Sequence, residues 1–331
     1  MIVAGIAIAF AAIWWTFFAS YEDPPVNPAW AVSGTAEIPD GSVTVRYTGT
    51  ATLVFSDGET PWMVDGWFTR VGPLSLVAGE IEPDLDAITE GLARNGVSKL
   101  AVVFPVHSHY DHAMDAPEVA RRTGAVLFGS ESTANIGRGW GLAESQIRVA
   151  VDREPVQFGA FTLTPIVSRH FQFPDPAVRA LALDDPEITA PLVPPVPTFD
   201  YKVGKAYSLH VSHPKGTWLI QGSAGFVEGS LDGYSADVLF LGAGGLGSQT
   251  AAYRASYWRE LVESVRPSRI IPIHWDSLTG PAEGPFVGTV RVMGFLSGGT
   301  ELTREFLEEK EAANPDIRFL TLPRYDEVVL F

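Results

Sequence analysis

The chain has 331 residues, of which 46% are apolar, and it carries a formal net charge of −16. This apolar fraction is ample for a sizeable core, in one large domain or in two. The negative charge argues against nucleic acid as a partner, because proteins that bind its phosphate backbone present basic patches. The sequence contains no cysteine, which excludes disulfides and thiolate metal ligands.

The N-terminal stretch is apolar. Residues 1–19 contain no charged side chain, and a bilayer is spanned by roughly 20 apolar residues. Trp14 and Trp15 near the end of the stretch suit a membrane interface, while the basic start and the small cleavage-site residues of a signal peptide are lacking. We therefore predict an N-terminal hydrophobic helix over residues 1–20 that acts as a membrane anchor or uncleaved signal. The alternative is an apolar helix packed on the protein's own surface.

Residues 21–41 are rich in proline and should form an extended linker. The acidic Glu22 and Asp23 in this linker give no signal for cytoplasmic retention. We therefore expect a membrane-anchored or exported protein that faces the periplasm or the cell exterior. The folded domain is predicted to span residues 42–331.

Alternating and apolar runs predict strands, and apolar residues at helical spacing predict helices, through the first half of this domain. The predicted strands cover residues 43–47, 51–55, 62–66, 100–104 and 125–128. The predicted helices cover residues 84–95, 114–122 and 131–136. Strands come first and then alternate with helices, which fits two packed sheets with outer helices.

Four side chains that can bind a metal follow the strand at residues 100–104. They are His107, His109, Asp111 and His112, and three of the seven histidines of the chain are therefore clustered here. Turn chemistry does not call for histidine. Imidazole and carboxylate together suit zinc, and less selectively iron or manganese. The stretch therefore predicts a metal site.

The motif His107-x-His109-x-Asp111-His112 resembles the signature of the metallo-β-lactamase superfamily. The resemblance implies an α+β fold, the four-layer αββα sandwich, with the motif on a loop between a strand and a helix at one edge. It also implies later histidine ligands at the ends of strands. His170 and His274 each follow an apolar run and match those ligands.

The strand at residues 62–66 resembles the branch of the superfamily that contains L-ascorbate-6-phosphate lactonase and the N-acyl-phosphatidylethanolamine-hydrolysing phospholipase D. In that branch an aspartate closes this strand, and Asp65 matches it. The resemblance implies that Asp65 accepts a hydrogen bond that orients a metal ligand. The alternative is an ordinary turn residue before Gly66.

Residues 171–205, directly after His170, contain seven prolines and several large apolar residues. We predict a long loop without secondary structure, and such loops are usually functional or disordered. Our hypothesis is that this insertion forms an apolar lid or wall beside the metals and sets substrate choice. The alternative is a surface excursion that packs on a partner or a membrane.

The remaining elements follow the insertion. The predicted strands cover residues 207–213, 237–241, 317–322 and 327–331, and the predicted helices cover residues 251–265 and 302–313. The first of these helices has a stripe at every fourth residue, formed by Tyr253, Tyr257, Leu261 and Val265. The histidines at 210 and 213 match no ligand of the superfamily, and we interpret them as structural or exposed.

The chain departs from the superfamily at Ser223, which aligns with an aspartate whose carboxylate normally bridges two metals. One subclass of true metallo-β-lactamases also lacks that carboxylate and holds its second metal with Asp, His and His. The equivalent set here is Asp111, His112 and His274. Two ions would then be held, the first by His107, His109 and His170. A single tightly held ion is the alternative.

This ligand set predicts a metal-dependent hydrolase with one or two zinc ions, or Mn²⁺ or Fe²⁺ in their place. A metal-bound hydroxide would attack an ester, lactone, amide or phosphodiester in a small-molecule or lipid-like substrate. We assign catalytic roles to Asp111 and His112, and substrate or orienting roles to Asp65, Tyr110 and Ser223. The alternatives are a β-lactam-hydrolysing metallo-β-lactamase and a catalytically degenerate metal-binding module.

Overall fold

Two seven-stranded β-sheets lie face to face in the computed structural model, which describes residues 14, 15, 20–292 and 299–331. The strands are β1 (Thr44–Gly49), β2 (Thr52–Ser56), β3 (Trp62–Val64), β4 (Glu80–Ile81), β5 (Val102–Phe104), β6 (Val126–Gly129), β7 (Ile147–Val149), β8 (Val156–Phe158), β9 (Phe161–Ser168), β10 (Val196–Pro197), β11 (Ala206–His213), β12 (Gly216–Gln221), β13 (Val238–Gly242), β14 (Arg269–Ile273), β15 (Arg318–Phe319) and β16 (Val328–Val329). The first sheet has the order β16-β1-β2-β3-β5-β6-β7, and the second has the order β15-β14-β13-β12-β11-β9-β8. Strands β4 and β10 form a separate two-stranded sheet.

Helices flank both sheets. They are α1 (Pro73–Ala78), α2 (Leu85–Arg94), α3 (Tyr110–Ala113), α4 (Ala116–Thr123), α5 (Glu131–Gly139), α6 (Pro176–Leu183), α7 (Ala251–Trp258) and α8 (Glu301–Ala313). Ile88 of α2 and Val119 of α4 pack on the outer face of the first sheet. Tyr257 of α7 and Phe306 of α8 pack against the second.

The alternation of side chains along each strand explains why both faces of the first sheet are apolar. In β5, Val102 and Phe104 point into the core between the sheets, whereas Val103 points outward to the helices. Because successive side chains of a strand face opposite sides, a continuous apolar run fits a strand covered on both faces. The predicted four-layer αββα sandwich is therefore confirmed for the described part of the chain.

The predicted N-terminal helix lies mostly outside the described residues, which include only Trp14, Trp15 and Ser20 of it. Within the residues that the structure describes, no helix combines the length and apolar character needed to cross a bilayer. The membrane anchor over residues 1–20 therefore stays a prediction.

The prediction of a structureless loop over residues 171–205 is wrong. The segment contains α6, the short strand β10 and a 3₁₀ turn at Thr198–Asp200. The side chain of Asp175 accepts hydrogen bonds from the amides of Ala177 and Val178, and Pro176 begins the helix. An aspartate cap followed by proline at the first helical position is a strong start signal, which the high proline content of the segment obscured.

The second half of the insertion is fixed to α5. The side-chain amide of Asn135 donates to the carbonyl of Ile188 over 2.6 Å, and the amide of Leu192 donates to the carbonyl of Asn135 over 3.0 Å. A β-carbon at Gly139 would lie 1.8 Å from the carbonyl oxygen of Leu192, so only glycine fits there. The insertion is therefore packed on the domain.

Glu118 on α4 is a buried ionic contact of the fold. Its carboxylate accepts hydrogen bonds from Arg121, Arg122 and Trp140 over 2.7, 2.6 and 2.9 Å. Burial alone raises the pKa of Glu118, but these hydrogen bonds outweigh it and lower the pKa to about 2. The stabilisation is therefore fully present above the ordinary pKa of 4.5 and is lost as the pH falls towards 2.

We expect Glu118→Gln to lower the free energy of unfolding at pH 7 by about 2 kcal/mol, because two arginines lose a charged acceptor. The difference from the wild type should shrink steadily below pH 4.5 in urea unfolding series. Glu90→Gln is the matched control, since Glu90 makes an exposed i,i+4 pair with Arg94 and such pairs contribute only about 0.3–0.5 kcal/mol. An equal effect of both substitutions at pH 7 would contradict the assignment.

Candidate metal centre

Six side chains that can bind metal converge at one edge of the sandwich, where several strands end. His107 and His109 lie just after β5, and Asp111 and His112 lie on the single turn of α3. His170 follows β9, and His274 follows β14. They form two sets of three, and in each set the ligand atoms lie within 4.8 Å of one another. The structure therefore brings together all six ligands predicted from the sequence.

The spacing within the second set, Asp111, His112 and His274, matches a metal site. Nε2 of His112 and Nε2 of His274 are 3.0 Å apart. Oδ2 of Asp111 lies 3.2 Å from Nε2 of His274 and 3.4 Å from Nε2 of His112. Two ligands at the usual zinc bond lengths of about 2.0–2.1 Å lie roughly 3.3 Å apart in tetrahedral geometry. These three donors therefore fit a single small divalent cation.

In the first set, backbone contacts fix which nitrogen of each ring faces the cluster. Nε2 of His109 donates to the carbonyl of Ala182 over 3.2 Å, and Nδ1 of His170 donates to the carbonyl of Phe171 over 2.8 Å. A carbonyl can only accept, so these nitrogens carry the proton of a neutral ring. The other nitrogen of each ring is then a lone pair directed to the site.

His107 completes the first set. Its Nε2 lies 3.2 Å from Nδ1 of His109, and its Nδ1 is buried without a hydrogen-bond partner among the described residues. Burial lowers the pKa of His107 well below its ordinary value, as it does for His170, and lowers that of His109 to about 4. All three rings are therefore neutral at pH 7, which is the form that binds a metal.

Asp65 connects the second set to the first sheet. Its Oδ2 accepts from Nδ1 of His112 over 2.7 Å, and its Oδ1 accepts from the amide of Val106 over 2.9 Å. Burial alone lowers the pKa of His112, but the carboxylates of Asp65 and Asp111 outweigh it and raise the pKa to about 10. The buried carboxylates of Asp65 and Asp111 are stabilised by a positive charge beside them, and a cation at the second set would supply that charge.

Asp65 and His274 both have left-handed backbone conformations, with φ of 59° and 55°. Residues other than glycine adopt this region at a cost and persist there when the surroundings hold them. The amide of His274 donates to the carbonyl of Thr50, and Asp276 in turn accepts from the amide of Thr50 over 2.6 Å. Asp276 was not predicted as part of the site.

Ser223 and Tyr110 lie near the ligands without joining either set. The hydroxyl of Ser223 accepts from the amide of Phe171 over 3.3 Å, so it supports the residue whose carbonyl holds His170. Tyr110 packs edge-on against Trp67 with 5.9 Å between ring centroids. The backbone carbonyls of Phe171 and Ala182 were not predicted, because no side-chain pattern marks a carbonyl that contacts a ligand from a distance.

Structural comparison gives the class of fold. The chain is similar to Igni18, a metallo hydrolase of Ignicoccus hospitalis KIN4/I, with a TM-score of 0.53 and 16% identity over 88% of this chain and 99% of that one. It is also similar to a possible metal-dependent hydrolase of Veillonella parvula DSM 2008, with a TM-score of 0.50 and 13% identity over 87% and 100% of the two chains. The metallo-β-lactamase fold protein YhfI of Bacillus subtilis gives a TM-score of 0.47 and 12% identity over 86% and 99%.

Sequence comparison gave no further relative: no protein-family model matches the chain, and no curated protein matches it. Taken with the αββα layers and the strand-end ligand cluster, the structural similarity shows that the chain has the metallo-β-lactamase fold. The two neighbours with the TM-scores of 0.53 and 0.50 are described as a metallo hydrolase and a possible metal-dependent hydrolase. The resemblance to the lactonase and phospholipase D branch stays a prediction.

Proposed function

We propose that this protein is a metal-dependent hydrolase that binds two divalent cations. The observation that carries the proposal is the pair of three-ligand sets, whose donor atoms lie within 4.8 Å of one another in each set. Five imidazoles and one carboxylate favour zinc over the harder cations, which prefer oxygen ligands. The donor geometry of the second set and the neutral rings of the first support zinc as the resident ion.

The residues of the chain would do three things in hydrolysis. When bound, divalent cations polarise the scissile carbonyl or phosphoryl group and lower the pKa of a water molecule. Asp65 keeps the proton of His112 on Nδ1, so that Nε2 stays a ligand. Asp111, on the same turn, supplies the carboxylate oxygen of the second set and faces both His112 and His274.

We propose a lipophilic ester, lactone, amide or phosphodiester as the substrate class. The rings of Phe171 and Phe173 in the insertion lie 4.5 and 5.5 Å from the ring of His170. These aromatic side chains would form an apolar wall beside the first set and would exclude water from the reacting group. The predicted membrane anchor and external location agree with such a substrate and are part of the same proposal.

The experiment that tests the function combines metal analysis with a substrate panel. Purified full-length protein should contain about two zinc ions per chain, in accord with two three-ligand sets. It should also hydrolyse at least one member of a panel of p-nitrophenyl esters, phosphodiesters, lactones and nitrocefin, and a chelator should abolish that activity. Protein that holds zinc but is inert towards every compound would contradict the proposal.

A further inference from the structure

We propose that Arg70, with Arg324, binds a negatively charged group of the substrate next to the second ligand set, so that the enzyme acts on anionic esters or phosphodiesters. This inference rests on the proposed function, and it adds a binding site for a carboxylate or phosphate. It follows from unpaired buried N–H groups and from their place beside the ligands.

Two of the three guanidinium nitrogens of Arg70 have no acceptor in the part of the chain that the structure describes. Its Nε and Nη1 atoms are buried and have no hydrogen-bond partner among the described residues. The group lies over the ring of Trp67, with 4.2 Å between its central carbon and the ring centroid. Buried N–H groups are normally paired, and an arginine fork is shaped to bind carboxylate or phosphate oxygens in pairs. The unpaired donors of Arg70 therefore point to an oxyanion as their partner.

Arg70 lies between the two segments that carry the second ligand set. On one side, Trp67 beneath the guanidinium contacts Tyr110, which directly precedes Asp111. On the other side, a β-carbon at Gly49 would lie 3.1 Å from Nη2 of Arg70 and 2.6 Å from Oδ2 of Asp276, two residues beyond His274. An anion held by Arg70 would therefore sit beside the second set.

A second arginine adds to the positive charge. Arg324 stacks on Phe286 at 4.1 Å, and its Nε is also buried without a partner in the described part of the chain. Burial lowers the pKa of Arg324, and the charge of Arg70 lowers it further, although Asp276 raises it. The carboxylate of Asp276 lies close to both guanidinium groups.

That carboxylate is already engaged on one side, since Oδ1 of Asp276 accepts from the amide of Thr50 and from the hydroxyl of Tyr47. Two N–H groups of Arg70 and one of Arg324 still have no acceptor among the described residues. Buried N–H groups without an acceptor are unfavourable. The oxygens of a substrate anion would satisfy these donors on binding.

The test uses two esters that differ only in charge. p-Nitrophenyl butyrate is neutral, and p-nitrophenyl hydrogen succinate carries a terminal carboxylate on an acyl chain of the same length. In the zinc-loaded full chain, Arg70→Gln should lower kcat/KM for the succinate by about 10-fold or more, the usual cost of losing a charge-assisted hydrogen bond. The butyrate should be little affected, and Arg70→Lys should retain part of the preference.

Arg138→Gln is the matched control, because Arg138 makes surface pairs with Glu131 and Glu144, which belong to neither ligand set. This substitution should leave kcat/KM unchanged for both esters. Equal effects of Arg70→Gln on both esters, or none on either, would overturn the proposal. If Arg70→Gln does not fold, kcat/KM for the two esters is compared in Arg70→Lys and Arg324→Gln instead.

Calorimetric titration with inorganic phosphate supplies a readout that does not depend on hydrolysis. Binding to metal-free protein should weaken in Arg70→Gln and not in Arg138→Gln. If phosphate binding depends on Arg70 but the protein hydrolyses no ester, the result supports the anion site and contradicts the proposed function. Ester hydrolysis with phosphate binding and charge preference unchanged in Arg70→Gln would overturn the anion site and leave the proposed function intact.

Discussion

His170→Ala should lose one bound metal ion and at least about 100-fold in hydrolytic activity, since even partners outside the ligand set typically cost 10- to 100-fold. His170 supplies one of three nitrogens to the first set, and the two that remain, from His107 and His109, cannot enclose a cation. Elemental analysis and initial rates on the best substrate of the panel check both parts of this expectation.

Melting temperatures with and without chelator separate ligation from packing in this variant. A bound ion stabilises the folded state by mass action, so zinc should raise the melting temperature of the wild type more than that of His170→Ala. Any cavity left by the truncation affects both conditions equally. His210→Ala is the control, because the ring of His210 contacts the carbonyl of Ser235 and no ligand. Full metal content and activity in His170→Ala would refute the assignment.

Asp65→Asn should weaken metal binding at the second set by about 10- to 100-fold while leaving the first set occupied. The carboxylate of Asp65 accepts from both His112 and the amide of Val106. An asparagine has one acceptor oxygen, so its NH₂ group must face one of these two donors. If it faces His112, the ring must carry its proton on Nε2, which can then no longer bind a metal.

Competition with a zinc chelator measures this change site by site. Asp57→Asn is a matched control, because Asp57 also lies beside a histidine, with 3.5 Å to Nε2 of His213, and also accepts backbone amides. That pair lies outside both ligand sets, so the zinc affinity of Asp57→Asn should equal that of the wild type. Identical affinities in Asp65→Asn and Asp57→Asn would mean that Asp65 does not control the tautomer of His112.

The six clustered residues could be predicted from the sequence because the motif at residues 107–112 follows β5, and His170 and His274 follow β9 and β14. The order of apolar runs and histidines along the chain carries that information, and the fold collects the strand ends at one edge. Arg70 and Asp276 could not be predicted in the same way. Their neighbours come from segments far apart in the chain, and a lone arginine or aspartate in a loop has many ordinary explanations.

The spacing of the stripe along helix α7 and the residues after it also indicates a departure from regular α-helical geometry. Its stripe repeats every fourth residue, whereas an α-helix advances 3.6 residues per turn, so such a stripe drifts by about 40° per step. A π-helical turn at Arg259–Glu263 compensates for this drift. As a result, Tyr257, Leu261 and Val265 are all buried. A wider turn resets the face of the helix towards the core.

The contact between Gly139 and the carbonyl of Leu192 has a consequence for the evolution of this protein. Because a β-carbon at position 139 would overlap that oxygen at 1.8 Å, a lineage that replaces the glycine must shorten or rebuild residues 186–197. Among homologues, glycine here and a full-length insertion should therefore be inherited together, and ancestors that lacked the insertion would have tolerated any helix-forming residue at this position.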